Sequence, residues 1–209
     1  MPDPVSDRTL PLRERKRLRT RRALADAALR LFTERGFDAT TLDELVDEAE
    51  VSRSTFFRTY PAKEAAAIEA EAELWSAYLT ALANRPLTGV VLDAMRETLI
   101  AAVADLAPEW DRRYVATRRL IRTTPALLAY VEAHRHGVEA DAVTILADRL
   151  ELPADDLRLH VLAELVTSAW SVAGREWVRA DGRGGRDALT DRVREAFAAV
   201  PAGLALRAR

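Results

Sequence analysis

The stretch from Thr40 to Lys63, T-T-L-D-E-L-V-D-E-A-E-V-S-R-S-T-F-F-R-T-Y-P-A-K, constrains this chain more than any other. Thr41 and Glu44 have the Thr-x-x-Glu spacing of a capping box, so a helix is expected to start at Thr41. Leu42, Leu45, Val46 and Ala49 follow at helical spacing and give that helix one apolar side. Ser52 suits the cap of a second helix, which carries Arg53, Ser54, Thr55, Phe56, Phe57 and Arg58. That helix is too short to persist alone in water and must pack on the first. Two short helices joined by a tight turn form the helix-turn-helix pattern, whose second helix enters the major groove of DNA.

Leu45, Ala49, Val51, Ser52, Thr55, Phe56, Phe57, Tyr60 and Lys63 together resemble the signature of the TetR family of repressors. The resemblance runs from residue 13 to about residue 70. It implies an all-α protein with an N-terminal three-helix helix-turn-helix DNA-binding domain. A fourth helix would join that domain to a larger helical ligand-binding and dimerisation domain. Three positions depart from the family pattern. Glu50 stands in the turn where the family usually has Gly, and a side chain on a left-handed residue costs roughly 1–2 kcal/mol. Ser54 replaces a second common Gly and is small enough to fit. Phe57 replaces the usual Tyr and removes a phenol from the phosphate contacts. At Lys63, one of only two lysines in the chain, the family has a phosphate-binding Lys.

Charge is uneven along the sequence. The net charge is −2, yet Arg13, Arg15, Lys16, Arg17, Arg19, Arg21 and Arg22 face the single acid Glu14 over ten residues. A basic end on an otherwise acidic body suits a DNA-binding head on a sensor domain. The 209 residues suffice for one or two domains with a sizeable core. There is no Cys, so neither disulfides nor thiol chemistry arise. No run of 18 apolar residues and no signal-peptide pattern is seen, from which a cytoplasmic location without a membrane partner is expected.

In chain order, residues 1–12 are expected to be a disordered arm, 13–66 the DNA-binding domain and 67–209 the ligand-binding and dimerisation domain. Helix 1 should run from about Arg13 to Arg35, bury Leu24, Ala28, Leu31 and Phe32, and end at Gly36. Phe56 is assigned to the core and Phe57 to the outside. Pro61 limits the second short helix. Helix 4 is expected to be continuous from about Ala62 to Ala83, mechanically linking head and body. Further helices are expected over about 88–106, 108–122, 125–150, 154–180 and 187–199, with Arg183–Arg186 a flexible loop. The segment from Arg118 to Tyr130 also resembles the matching junction in some regulators of that family.

Catalysis finds little support. His134 and His136 lie two apart on a helix and do not share a face, and no His-Glu-x-x-His is present, so no metal centre is expected. Gly182, Gly184 and Gly185 follow a helix instead of a strand, which does not make a phosphate loop. No Ser sits in a nucleophile-elbow context. Neither an enzyme nor a cofactor is expected.

The expected DNA-facing set is Thr41, Arg53, Ser54, Thr55, Phe57, Arg58, Thr59, Tyr60 and Lys63. Arg53, Ser54 and Thr55 would reach bases, Arg53 pairing with guanine, while Thr41, Arg58, Thr59 and Lys63 hold phosphates. A small-molecule site is expected among Trp75, Tyr78, Met95, Trp110, Tyr114, Tyr130 and His134. Val166, Trp170, Ala173 and Trp177, with Val193 and Phe197, are the expected homodimer seam. The expected function is a homodimeric repressor that binds a palindromic double-stranded DNA operator and is released by a small-molecule ligand. The alternative is a helical protein-interaction module that has lost DNA binding through Glu50.

Overall fold

The computed structural model describes residues 11–208, and among them it contains ten helices and no strand. They are α1 (Leu12–Arg35), α2 (Leu42–Glu48), α3 (Arg53–Thr59), α4 (Lys63–Ala67), α5 (Glu69–Asn84), α6 (Val91–Ala104), α7 (Trp110–Thr123), α8 (Pro125–Leu150), α9 (Leu157–Arg179) and α10 (Gly185–Leu204). Most of the expected disordered arm, residues 1–10, lies outside the described residues, and Leu12 already belongs to α1. The all-α fold class with an N-terminal helix-turn-helix is as expected.

The chain forms two compact units. The first comprises the described residues up to Ala70 together with Ala116–Val131, and the second comprises Glu71–Val115 and the described residues from Glu132 onward. In the first, α1 supplies Leu24, Ala28, Leu31 and Phe32, and Gly36 ends it at φ 92°, a conformation open to a residue without Cβ. These side chains pack with Leu45 and Val46 of α2, Phe56 of α3, and Tyr60, Ala66, Ala67 and Ile68. Leu120, Ile121, Leu127 and Val131, from the α7–α8 corner, complete the same core. Each large apolar side chain buried there contributes on the order of 1.5–3 kcal/mol. No sequence signal ties residues 116–131 to this core, because their helical periodicity names a buried stripe without naming its partner.

The expected continuous helix 4 is interrupted. α4 ends at Ala67, Ile68 takes φ −97° and ψ 17°, and α5 starts at Glu69. Two tertiary demands meet at these neighbouring positions. Ile68 is drawn fully into the core, at 1% exposure, and the Glu69 carboxylate reaches Arg21, 48 residues earlier. Helical propensity continues through this stretch, so periodicity alone predicts no break.

In the second unit α10 packs along α9 and against α6. The expected flexible loop at Arg183–Arg186 is instead a tight turn. Gly184, at φ 81°, caps α10, and Arg186 lies in the first turn of that helix. Its guanidinium pairs with Asp111 at 2.8 Å and donates to the carbonyls of Ala104, Leu106 and Ala107 at the end of α6. A cation there also suits the negative end of the α6 dipole. The glycines alone suggested mobility; the anchoring arginine beside them has a partner 75 residues away.

Candidate nucleic-acid interface

α2 begins with the expected capping box. The Thr41 hydroxyl accepts the Glu44 N–H at 3.2 Å, and the Glu44 carboxylate accepts the Thr41 N–H at 2.8 Å. The Thr41 N–H and hydroxyl, both donating to that carboxylate, and then Arg35 hold the Glu44 carboxyl below the usual carboxylate range. α2 ends in a Schellman motif: Val51 N–H reaches the Val46 carbonyl and Glu50 N–H that of Asp47, with Glu50 left-handed at φ 53°. Glu50 therefore occupies the glycine conformation and the turn still closes. Ser52 caps α3 by accepting the Thr55 N–H at 3.2 Å.

α3 is fixed from below by Phe56, which has no exposed surface, and by the half-buried Thr55 and Thr59. Arg53, Ser54, Phe57 and Arg58 face out, spaced so that they share one side of the helix. Phe57 is 57% exposed, an apolar side chain on a polar face. Arg53 forms a two-point pair with Asp43 of α2, its Nε 2.5 Å from Oδ1 and its Nη2 2.7 Å from Oδ2. The pair holds the Asp43 carboxyl below its ordinary value. Thr41 is exposed at the start of α2, and Arg13, Lys16, Arg17, Arg19 and Arg22 are exposed along α1.

Two residues of the expected DNA-facing set have partners within the protein. Tyr60 is only 2% exposed, donates its hydroxyl to the Arg21 carbonyl at 3.0 Å and lies under the Arg21 guanidinium, so it has no surface to offer DNA. The helical spacing from Phe56 put it on the core side, and the core takes it. Lys63 is half-buried, its ammonium donating to the carbonyls of Phe37 at 2.9 Å and Thr40 at 3.1 Å, 4.1 Å from the Phe37 ring centroid. Two of its three donors thus clamp the α1–α2 turn, and one is left for solvent or phosphate. The Arg53–Asp43 and Arg21–Glu69 pairs were not foreseen, since separations of 10 and 48 residues leave no local trace.

In the second unit Trp75, Tyr78, Trp110 and Tyr114 come together, each at most 4% exposed, and Met95 is also buried. Trp170 and Trp177 complete this aromatic stack: Trp110 lies 4.6 Å from Tyr114 and stacks on Trp177 at 6.4 Å, and the Trp170 indole N–H donates to the Tyr114 hydroxyl at 3.0 Å. The seam expected from Val166, Trp170, Ala173, Trp177, Val193 and Phe197 is therefore an interior stripe, none of its members above 3% exposure in the single chain. Side chains already covered by their own subunit have no area left to give a partner. Val161 and Val172, 56% and 48% exposed, are on the outer side of α9.

Of the other ligand candidates, His134 is partly buried in the second unit, whereas Tyr130 belongs to the first, where burial and then Glu64 push its phenol up. Tyr78 Oη, His134 Nε2 and Trp177 Nε1 are buried without a hydrogen-bond partner among the described residues. Burial alone pushes the Tyr78 phenol up. Within the first unit a cleft of about 730 Å³ is lined by Phe32, Gly36, Phe37, Leu120, Thr124 and Pro125 among others; none of the expected ligand residues lines it. No group of three or more His, Cys, Asp or Glu side chains is placed to hold a metal, and no helix is long and apolar enough to cross a membrane, among the described residues.

Two capped short helices at the head of an all-α chain, the second offering an outward polar and basic face, define a helix-turn-helix DNA-binding protein. Residues 24–70 match the family described as bacterial regulatory proteins, tetR family, and residues 90–205 match the MftR C-terminal domain family. The HTH-type transcriptional regulator TcmR of Streptomyces glaucescens is 32% identical over 86% of this chain and 84% of its own. A regulator named for mycofactocin biosynthesis, MftR, of Mycobacterium tuberculosis is 27% identical over 91% of this chain and 93% of its own. A solved structure assigned to the TetR family, from Mesorhizobium loti, shares the fold with a TM-score of 0.51 at 18% identity, covering 90% of this chain and 97% of that one. The chain belongs to the TetR family of transcriptional regulators, and its role is DNA-binding regulation of transcription.

Proposed function

We propose that this regulator is a homodimeric repressor that binds a palindromic operator and is released by a small molecule, with residues 13–66 as the DNA-reading head and 67–209 as the ligand-binding and dimerisation part. The observation that carries the DNA reading is the outer face of α3: Arg53, Ser54, Phe57 and Arg58 project from a helix that Ser52 caps and Phe56 anchors. Arg53, Ser54 and Thr55 reach base edges. Thr41, Arg58 and Thr59 hold phosphates, joined by the remaining donor of Lys63. Phe57 makes apolar contact, for which a thymine methyl is the natural partner. The intact turn at Glu50 favours this reading over a protein-interaction module without DNA binding.

A small head reads few base pairs, so two heads and a two-fold symmetric site are required for useful specificity. The outer side of α9, with Val161 and Val172, is the dimer seam. Ligand release is supported by the orphaned polar atoms of Tyr78 and Trp177, which lie among aromatic rings, and by that of His134. An unmade buried hydrogen bond costs about 1–3 kcal/mol, which a ligand with matching groups would recover. The ligand must bind the DNA-free state better, and operator must then weaken ligand by the same factor.

A gel shift of the full chain on fragments from around its own gene tests the DNA reading; no retarded fragment at low salt overturns it. With an inducer in hand, tryptophan fluorescence titrations with and without operator should differ roughly 5- to 150-fold in ligand affinity. Equal affinities would remove the release mechanism and leave a constitutive DNA binder.

A further inference from the structure

The pair between Asp43 and Arg53 is side-on. Arg53 gives Nε–H and one Nη2–H to the two carboxylate oxygens, at 2.5 Å and 2.7 Å. The guanidinium has five N–H donors in a rigid plane, so this leaves Nη1 and the second Nη2–H as a parallel fork on another edge. Among the described residues no acceptor meets that fork. Two parallel donors are what guanine O6 and N7 require in the major groove. The same arginine can therefore hold Asp43 and a base at once, through different edges.

Stability does not account for the pair. Both side chains are about three-fifths exposed, 60% and 62%, and ion pairs so open to water add little to folding. Affinity for DNA does not account for it either, because a carboxylate at a DNA face opposes the phosphates. The other acids of α2 with partners serve the head itself: Glu44 closes the capping box and meets Arg35, and Glu48 pairs with Arg30. Asp43 instead turns to the first residue of α3. An acid in the first turn also suits the α2 dipole, but that role does not require a reach to Arg53.

We propose that Asp43 is a specificity-determining positioning residue of the head, which presets the Arg53 guanidinium so that its free fork meets one guanine in one orientation. Without Asp43 the long Arg53 side chain samples many rotamers, including ones that reach phosphate, and its discrimination between bases falls. This rests on the assignment of Arg53 to a base.

The test selects binding sites for the full-length protein from a pool of duplex DNA with randomised positions. R53A should relax one position of the selected site. D43A should relax that same position, with discrimination there falling about tenfold, within the range a single good contact supplies. The double variant should be no less selective than R53A alone, and the melting temperature of D43A should stay within about 4 °C of the parent's, the most that loss of a first-turn acid accounts for. Tighter binding of D43A to all sequences with an unchanged preference would reduce Asp43 to a repulsive charge and overturn the proposal. Relaxation at a position different from that of R53A would also overturn it, since Asp43 would then touch a base itself. If the parent selects a site but R53A relaxes none of its positions, the underlying assignment of Arg53 fails; if the parent selects no site, the DNA reading fails, and in both cases the proposal falls with it.

Discussion

Glu50 takes φ 53° in the α2–α3 turn, and the two Schellman hydrogen bonds are made around it. Its Cβ opposes that conformation by roughly 1–2 kcal/mol, while a glycine there would add freedom to the unfolded chain. The first effect is the larger, so Glu50→Gly should stabilise the head by about 1 kcal/mol, read as a raised melting temperature with operator selectivity unchanged. His134 makes a second prediction at this scale. Burial lowers its pKa from 6.5, and the smaller opposing pulls of Glu71 and Asp141 do not restore it. The unfolded chain thus takes up this proton before the folded one does. Stability should be highest above the ordinary value of 6.5 and fall as pH drops from there through the lower folded value. In His134→Gln the stability curve should be flatter over that window in urea titrations at several pH values.

Among the elements, α3 depends most on what lies beneath it. Seven residues do not hold a helix alone, and Phe56, with 0% exposure, is the side chain that seats it. Phe56→Ala should cost about 3–5 kcal/mol in the head and abolish DNA binding, which calorimetry with a gel shift would show together. The α1–α2 turn depends instead on α4, through Lys63 and its bonds to Phe37 and Thr40. A charge-assisted bond contributes about 1.5–3 kcal/mol, so Lys63→Ala should lower the melting temperature of the free protein as well as weaken DNA uniformly across sequences. A variant with weakened DNA binding and the parent's melting temperature would mark Lys63 as a phosphate contact alone.

For the whole molecule the prediction concerns the proposed homodimer and its seam on α9. The aromatic stripe of α9 is filled within one chain, whereas Val161 and Val172 are exposed on that helix. Val172→Glu should therefore yield monomers with operator affinity reduced well over tenfold, while folding is retained, because no core side chain is disturbed. Sedimentation at several concentrations reads the first effect and circular dichroism the second. A Val172→Glu protein that still sediments as a dimer would move the seam to another surface.

Local rules in the chain were enough for the helices other than the fourth and for the capping box at Thr41, the cap at Ser52, and the placing of Phe56 inside and Phe57 outside. Each depends on residues within about four positions of one another, the range over which helical geometry acts. The resemblance at Thr40–Lys63 located the helix-turn-helix for the same reason, since its signature is compact. Tertiary structure alone decided the rest. It broke the fourth helix at Ile68, drew Trp170 into the core of its own unit, aimed Lys63 at two carbonyls and paired Arg53 with Asp43. It also packed the α7–α8 corner into the core of the head. A helical stripe states that a face is buried but not by what: its own unit and a second subunit place the same demand on composition. Only the distances between elements separate them, and those are set by packing across tens of residues that leaves no periodic mark in the chain.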